Sequence, residues 1–218
     1  MQDQQNDAAS IAAPASSAGI EIQPVTLERW DDLVALFETS PVTSSCWCMS
    51  PRVRASEFSR FGAAARQRNQ EMMHSLVAAG TLPGLLAYVD GRPAGWISVG
   101  PREEFVRLRR SRTTVPTADG RPVWLIVCFY TQRAYRRQGI TRSLIQAAVQ
   151  HAAAHGAAAL EAFPVARWGE TMLSGHAYTG TASTFRELGF YEVGLSGRAR
   201  GEPRIIMRYD LPSQEHRI

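Results

Sequence analysis

The stretch WLIVCFYTQRAYRRQGITRSLI, Trp124–Ile145, decides how the chain is read. It opens as an apolar strand and passes through the basic turn Tyr135-Arg136-Arg137-Gln138-Gly139-Ile140-Thr141. It continues as a helix with apolar residues at Ile140, Leu144, Ile145, Ala148, Val149 and Ala152, a helical period. A strand that runs through a Gly-containing turn into a helix N-terminus makes an anion site. The backbone N–H groups of the turn converge, and the helix dipole adds about half a positive charge there. Arg136 and Arg137 add full charges, so the turn suits a pyrophosphate.

Composition bounds the rest. A chain of 218 residues with 44% hydrophobic content has room for one domain with a substantial core. No run reaches the ~18 apolar residues of a membrane span, so no membrane partner is expected. Residues 1–19 are rich in Gln, Ala and Ser, with neither a basic start nor an apolar core; they read as a flexible extension rather than a signal peptide. Residues 20–218 are read as one domain and the protein as cytoplasmic. All 24 basic residues are arginine. That fits a coding bias, and it also fits a protein that holds phosphates in bidentate forks. Cys46 and Cys48 form a Cys-x-Cys pair and Cys128 lies in the apolar strand. No second pair or nearby His gives zinc spacing, so the three read as structural thiols and no metal is expected.

Elsewhere, IEIQPV (Ile20–Val25) alternates as a first strand, and Leu27–Thr39 has a helical period. PVTSSCWCMSPR reads as a loop, Ser56–Ala79 as a second helix, and PGLLAYVDGRPAGWISVG as a hairpin with an Asp90-Gly91 turn. Pro101–Pro122 is irregular and charged. ALEAFPV (Ala158–Val165) is a strand, Ala166–Ala177 a loop, Tyr178–Leu188 a short helix, and Phe190–Leu195 and Arg204–Leu211 are closing strands.

Three features together resemble the GNAT (Gcn5-related N-acetyltransferase) superfamily. Arg136, Gly139 and Thr141 stand at the named positions of its motif Arg/Gln-x-x-Gly-x-Gly/Ala, with Thr141 departing from the usual small residue. FRELGF (Phe185–Phe190) is similar to its later Tyr-x-x-x-Gly-Phe signature. The order β-α-α-β-β-β-α-β-α-β-β is that of the family. The resemblance implies an α/β GNAT fold: a mixed central sheet of about seven strands and about four helices, with the fourth and fifth strands, Val123–Thr131 and Ala157–Phe163, splayed apart.

The resemblance also implies an N-acyltransferase that uses acetyl-CoA or another acyl-CoA. The pyrophosphate would meet the backbone of Arg137, Gln138, Gly139, Ile140 and Thr141 beside Arg136. The pantetheine arm would pair with the strand at Phe129 and Thr131, and the amide of Phe129 or Tyr130 would polarise the thioester carbonyl. An amine of pKa near 10 costs about 4–5 kcal/mol to deprotonate at pH 7. Glu161, inside the apolar ALEAF, reads either as the base or as the partner of an Arg on a neighbouring element. Glu103 and Glu104 read as further candidates for the catalytic base, as pocket groups that recognise a cationic acceptor, or as a solvated loop. The family's usual acid, the signature Tyr, is here Phe185. Tyr178, two helical turns earlier, reads as acid, pantetheine contact or core aromatic, with Ser183 as a second hydroxyl nearby. Trp47 reads as a wall of the acceptor pocket or as a core anchor.

The acceptor implied is an amine on a small molecule. Arg107, Arg109, Arg110 and Arg112 motivate an alternative donor, a carrier-protein phosphopantetheine thioester or an aminoacyl-tRNA; other nucleic acid is not expected. The missing Tyr motivates a non-catalytic acyl-CoA-binding module. Monomer and homodimer both remain open.

Overall fold

A computed structural model describes residues 19–109, 120–165, 178–199 and 202–212. Residues 1–18 of the proposed extension, Arg110 and Arg112, and the loop 166–177 lie outside the described residues. Seven strands form one sheet in the order β1-β2-β3-β4-β5-β7-β6: β1 Ile20–Pro24, β2 Gly84–Val89, β3 Arg92–Pro101, β4 Val123–Thr131, β5 Ala159–Ala162, β6 Tyr191–Ala199 and β7 Glu202–Asp210. The β4–β5 pair is parallel and every other pair is antiparallel. The mixed α/β sheet expected from the sequence is therefore present.

Six α-helices occur among the described residues: α1 Trp30–Glu38, α2 Pro41–Cys46, α3 Ala63–Ala78, α4 Val106–Arg109, α5 Ile140–Ala154 and α6 Ala182–Glu187. The two beyond the expected four are short. The segment read as a loop after α1 forms α2 because Ser40 caps it, accepting from the Val42 N–H, and Pro41 sits at the first helical position, where its missing N–H costs nothing. The second helix begins later than the sequence pattern implied, at Ala63, just after Gly62.

The helical periods bury the faces they predict. Leu33, Leu36 and Phe37 of α1 pack with Leu86, Tyr88 and Trp96 on one sheet face. Ile140, Leu144, Ile145, Ala148 and Ala152 of α5 pack with Leu85, Ile97, Ile126 and Leu160 on the other. Strand alternation produces this division, since successive side chains leave opposite faces. At the C-terminal end of α5, His151 lies edge-on to Trp124 and against His155, and burial first, then His155, pushes its pKa down to about 4. No described helix is long and apolar enough to cross a membrane.

Two features of β4 shape the centre of the sheet. The pairing with β3 jumps from Ser98↔Cys128 to Val99↔Ile126, which makes Val127 an extra residue in β4, a β-bulge. The pairing with β5 has four rungs, from Val123↔Ala159 to Ile126↔Ala162, and then stops. Beyond Ile126 the two strands separate, leaving a wedge bordered by Phe129 and Thr131.

Candidate active site

The basic turn leaves β4 through a 3-10 turn, Arg133–Tyr135, and enters α5 at Gly139. Arg137 has φ 63° and Gly139 φ 83°, so two left-handed residues bend the backbone around the helix N-terminus. No side chain caps that terminus. The first four N–H groups of a helix lack intrahelical partners. A Cβ built on Gly139 would meet nothing within 4 Å, so the space in front of the turn is open. Arg136, Arg137 and Gln138 are exposed around it, and the Arg136 Nε donates to the Thr131 carbonyl at 3.4 Å. Arg137 makes no ion pair among the described residues. Ile140 is buried and anchors the helix start to the sheet. The turn is thus an uncapped, positively charged bend with open space in front of Gly139, and its N–H groups and arginines are donors of the kind a pyrophosphate needs.

Within the wedge, the Phe129 N–H donates to the Tyr178 carbonyl at 2.6 Å. Tyr178 is not on a helix. Gly180 at φ 77° and the extended Thr181 stop α6 from reaching back to it, so the two-turn spacing to Phe185 read from the sequence does not hold. Tyr178 is 46% exposed, and its ring lies over the Arg204 guanidinium, 5.1 Å from the centroid. Phe185 is fully buried and packs edge-on against Phe129 and Phe190, so the signature position serves the core. Ser183 is exposed and shares a hydrogen bond with Thr181. Tyr130 points to the α1 face and bonds the Thr39 hydroxyl at 2.7 Å; because Thr39 gives its one proton to the Leu36 carbonyl, the Tyr130 phenol is the donor.

The carboxylates lie on the face opposite α5. Glu161 is fully buried and accepts from Arg208 of β7, its register partner, at 2.9 Å; both side chains are at most 3% exposed. This is the pairing with a neighbouring strand that the sequence allowed as one of two roles. Glu104 pairs with the buried Arg52, whose guanidinium also donates to the Pro83 carbonyl and lies over Phe105. Glu103 is exposed. Beside Glu104 opens a cleft of about 480 Å³, lined in part by Arg52, Arg68, Glu71, Met72 and Leu76. Trp47 does not line it. It is fully buried, stacked on Trp30 at 5.6 Å and tilted against Phe37, and is therefore a core anchor.

The thiols cluster without being activated. Cys48 accepts from the Trp96 indole N–H at 3.2 Å, and contact with Cys128, then burial, holds its pKa well above the usual thiol value. Burial, then Cys48, pushes Cys46 up to about 11. Such thiols stay protonated and poorly nucleophilic at neutral pH.

A family model described as "Acetyltransferase (GNAT) family" matches residues 50–168, more than half of the chain and all of the wedge-forming strands and turn. The chain belongs to the GNAT acetyltransferase family. Several solved structures share the fold across most of the chain. One is yncA of Salmonella typhimurium, solved with its cofactor acetyl-CoA (15% identity, 91% of this chain and 96% of that one, TM-score 0.54). Another is histone acetyltransferase HPA2 and related acetyltransferase of Corynebacterium glutamicum (15%, 90% and 99%, 0.53). A third is the NatC complex bound to Gag peptide and CoA (11%, 89% and 99%, 0.50). No curated protein matches the sequence. As a GNAT enzyme the chain is an N-acetyltransferase by family, and the parallel β4–β5 pair that parts after four rungs is the sheet feature its resemblance to the family implied.

Two arginines of this site escaped the sequence reading. Arg204 and Arg208 flank the apolar Ile205-Ile206-Met207 inside β7 and, four residues apart in a strand, share a face. Two arginines at that spacing in an otherwise buried strand signal buried partners, but only the register names them.

Proposed function

We propose that the protein transfers an acetyl or other acyl group from acyl-CoA to an amine of a small-molecule acceptor by direct attack on the thioester. The observation that carries this reading is the uncapped turn at Gly139, with open space in front of it, at the end of the β4 strand that parts from β5. Backbone N–H groups of Arg137, Gln138, Gly139, Ile140 and Thr141 hold the donor's pyrophosphate, assisted by Arg136 and Arg137. The β4 edge at Phe129 and Thr131 pairs with the amides of the pantetheine arm as an added strand would. The donor, when bound, supplies an activated thioester. The Phe129 N–H then polarises its carbonyl and stabilises the developing oxyanion; such donors contribute about 2.7–4 kcal/mol elsewhere.

Proton transfer falls to fewer groups than the sequence offered. Phe185 has no proton to give, and the Tyr130 phenol is committed to Thr39. Tyr178, beside Phe129 and exposed, is the proposed acid for the leaving thiol. Glu161 is assigned to pairing Arg208. Glu104 and Glu103, next to the cleft on the α3 side, are assigned to recognition of a cationic acceptor. A peptide N-terminus is a second acceptor class; it is motivated by the fold likeness to the peptide-bound NatC structure.

Thiol release from acetyl-CoA, followed across a panel of small amines and peptides, tests this reading. We expect release that depends on a small amine. Release only with peptides would reassign the acceptor. Release only from a carrier-loaded or tRNA-loaded acyl group would reassign the donor, and tight acetyl-CoA binding without any release would make the protein a binding module.

A further inference from the structure

We propose that Arg204 is a positioning residue that seats Tyr178–Ala182 in the β4–β5 wedge as an internal competitor for the acyl donor. The inference rests on the reading that the donor's arm uses the Phe129 edge of β4. Past the last β4–β5 rung, the segment Tyr178–Ala182 takes the place of a paired strand. The Tyr178 carbonyl accepts from Phe129 N–H at 2.6 Å on the β4 side. On the β5 side, Val165 donates to the Gly180 carbonyl at 3.2 Å and accepts from the Ala182 N–H at 3.3 Å, in a parallel bridge with Thr181.

The segment is fitted to this position. Gly180, at φ 77°, lies so close to its neighbours that a Cβ would come within 3.0 Å of Phe185 and 3.4 Å of Phe129. Arg204 locks it from the next strand. Its buried Nη1 donates to the Thr179 hydroxyl and to the Phe163 carbonyl at the end of β5, and its guanidinium lies under the Tyr178 ring. One side chain therefore ties the inserted segment to both β5 and β7.

The Phe129 N–H offers a single proton. While the Tyr178 carbonyl takes it, a thioester carbonyl does not, so the donor binds fully only when the segment gives way. An affinity measured against a state that is only partly open is reduced by the open fraction. Loosening the lock therefore raises apparent donor affinity, the opposite of what loss of a merely structural contact does.

The test is calorimetry with acetyl-CoA on the full-length wild type, Thr179→Val and Arg204→Met, with thermal melts to confirm folding. Thr179→Val keeps the shape and removes only the hydroxyl, so it serves if Arg204→Met does not fold. We expect Kd to fall by about three- to tenfold in either variant, with KM for acetyl-CoA falling in parallel. Unchanged or weaker binding by a folded variant overturns the proposal. Gly139→Asp in the same series separates the two readings. If it loses acetyl-CoA while Thr179→Val binds like wild type, the donor site stands and the competitor falls. If wild type and both lock variants all fail to bind, both fall.

Discussion

Gly139→Asp is expected to weaken acetyl-CoA binding by at least about a hundredfold. The new carboxylate would stand in the open space where the pyrophosphate is to sit. Like unit charges about 4 Å apart repel by roughly 1 kcal/mol in water and roughly 4 kcal/mol near a protein surface, and a pyrophosphate presents more than one charge. Each 1.4 kcal/mol is tenfold in affinity. Aspartate is among the residues that tolerate positive φ best, so the fold should survive. Gly139→Ala is the control: its Cβ meets nothing within 4 Å, and it carries only the left-handed strain, about 1–2 kcal/mol. It should lower stability while keeping donor affinity within a few-fold. Calorimetry on the three proteins reads the difference; equal affinity of Gly139→Asp and wild type would remove the pyrophosphate from the turn.

Arg208→Met is expected to destabilise the protein by about 3–5 kcal/mol, because it leaves the Glu161 carboxylate buried without its strand partner. Urea unfolding measures this directly. The double variant Glu161→Leu/Arg208→Met should recover most of the loss, since an apolar pair of similar volume avoids the cost of burying two charges. The double variant also decides the chemistry. A general base contributes about 10²–10⁴-fold in rate. If Glu161 serves only the fold, the refolded double variant keeps its turnover within a few-fold of wild type. A hundredfold loss in a stable double variant would make Glu161 the base.

The parts of this molecule that were legible from sequence are local. The turn at Tyr135–Thr141 is written in consecutive residues, and the periods of α1 and α5 name their own buried faces. The parting of β4 and β5 followed from family resemblance and is seen in the register. What escaped depends on contacts between distant residues. Glu161 and Arg208 are 47 positions apart, and a strand pattern does not say which strand lies beside it. Trp47 sits in a Cys-Trp-Cys run that suits a loop as well as a core, and the backbone reversal at φ 48° that turns it inward leaves no sequence mark. Tyr178 looked helical because Phe185 follows at helical spacing. Gly180 was the signal against it, since a glycine so near a helix start more often marks a turn.

On the proposed reading the turn holds the pyrophosphate of an acyl-CoA donor. The most direct test compares acetyl-CoA with S-acetylpantetheine, which carries the same thioester and arm but neither the pyrophosphate nor the adenosine 3′-phosphate attached to it, by calorimetry on the wild-type protein and on Gly139→Asp, where the difference should largely vanish. The account predicts that acetyl-CoA binds at least about a hundredfold more tightly, a difference of roughly 2.7 kcal/mol. Equal affinity for the two would contradict it.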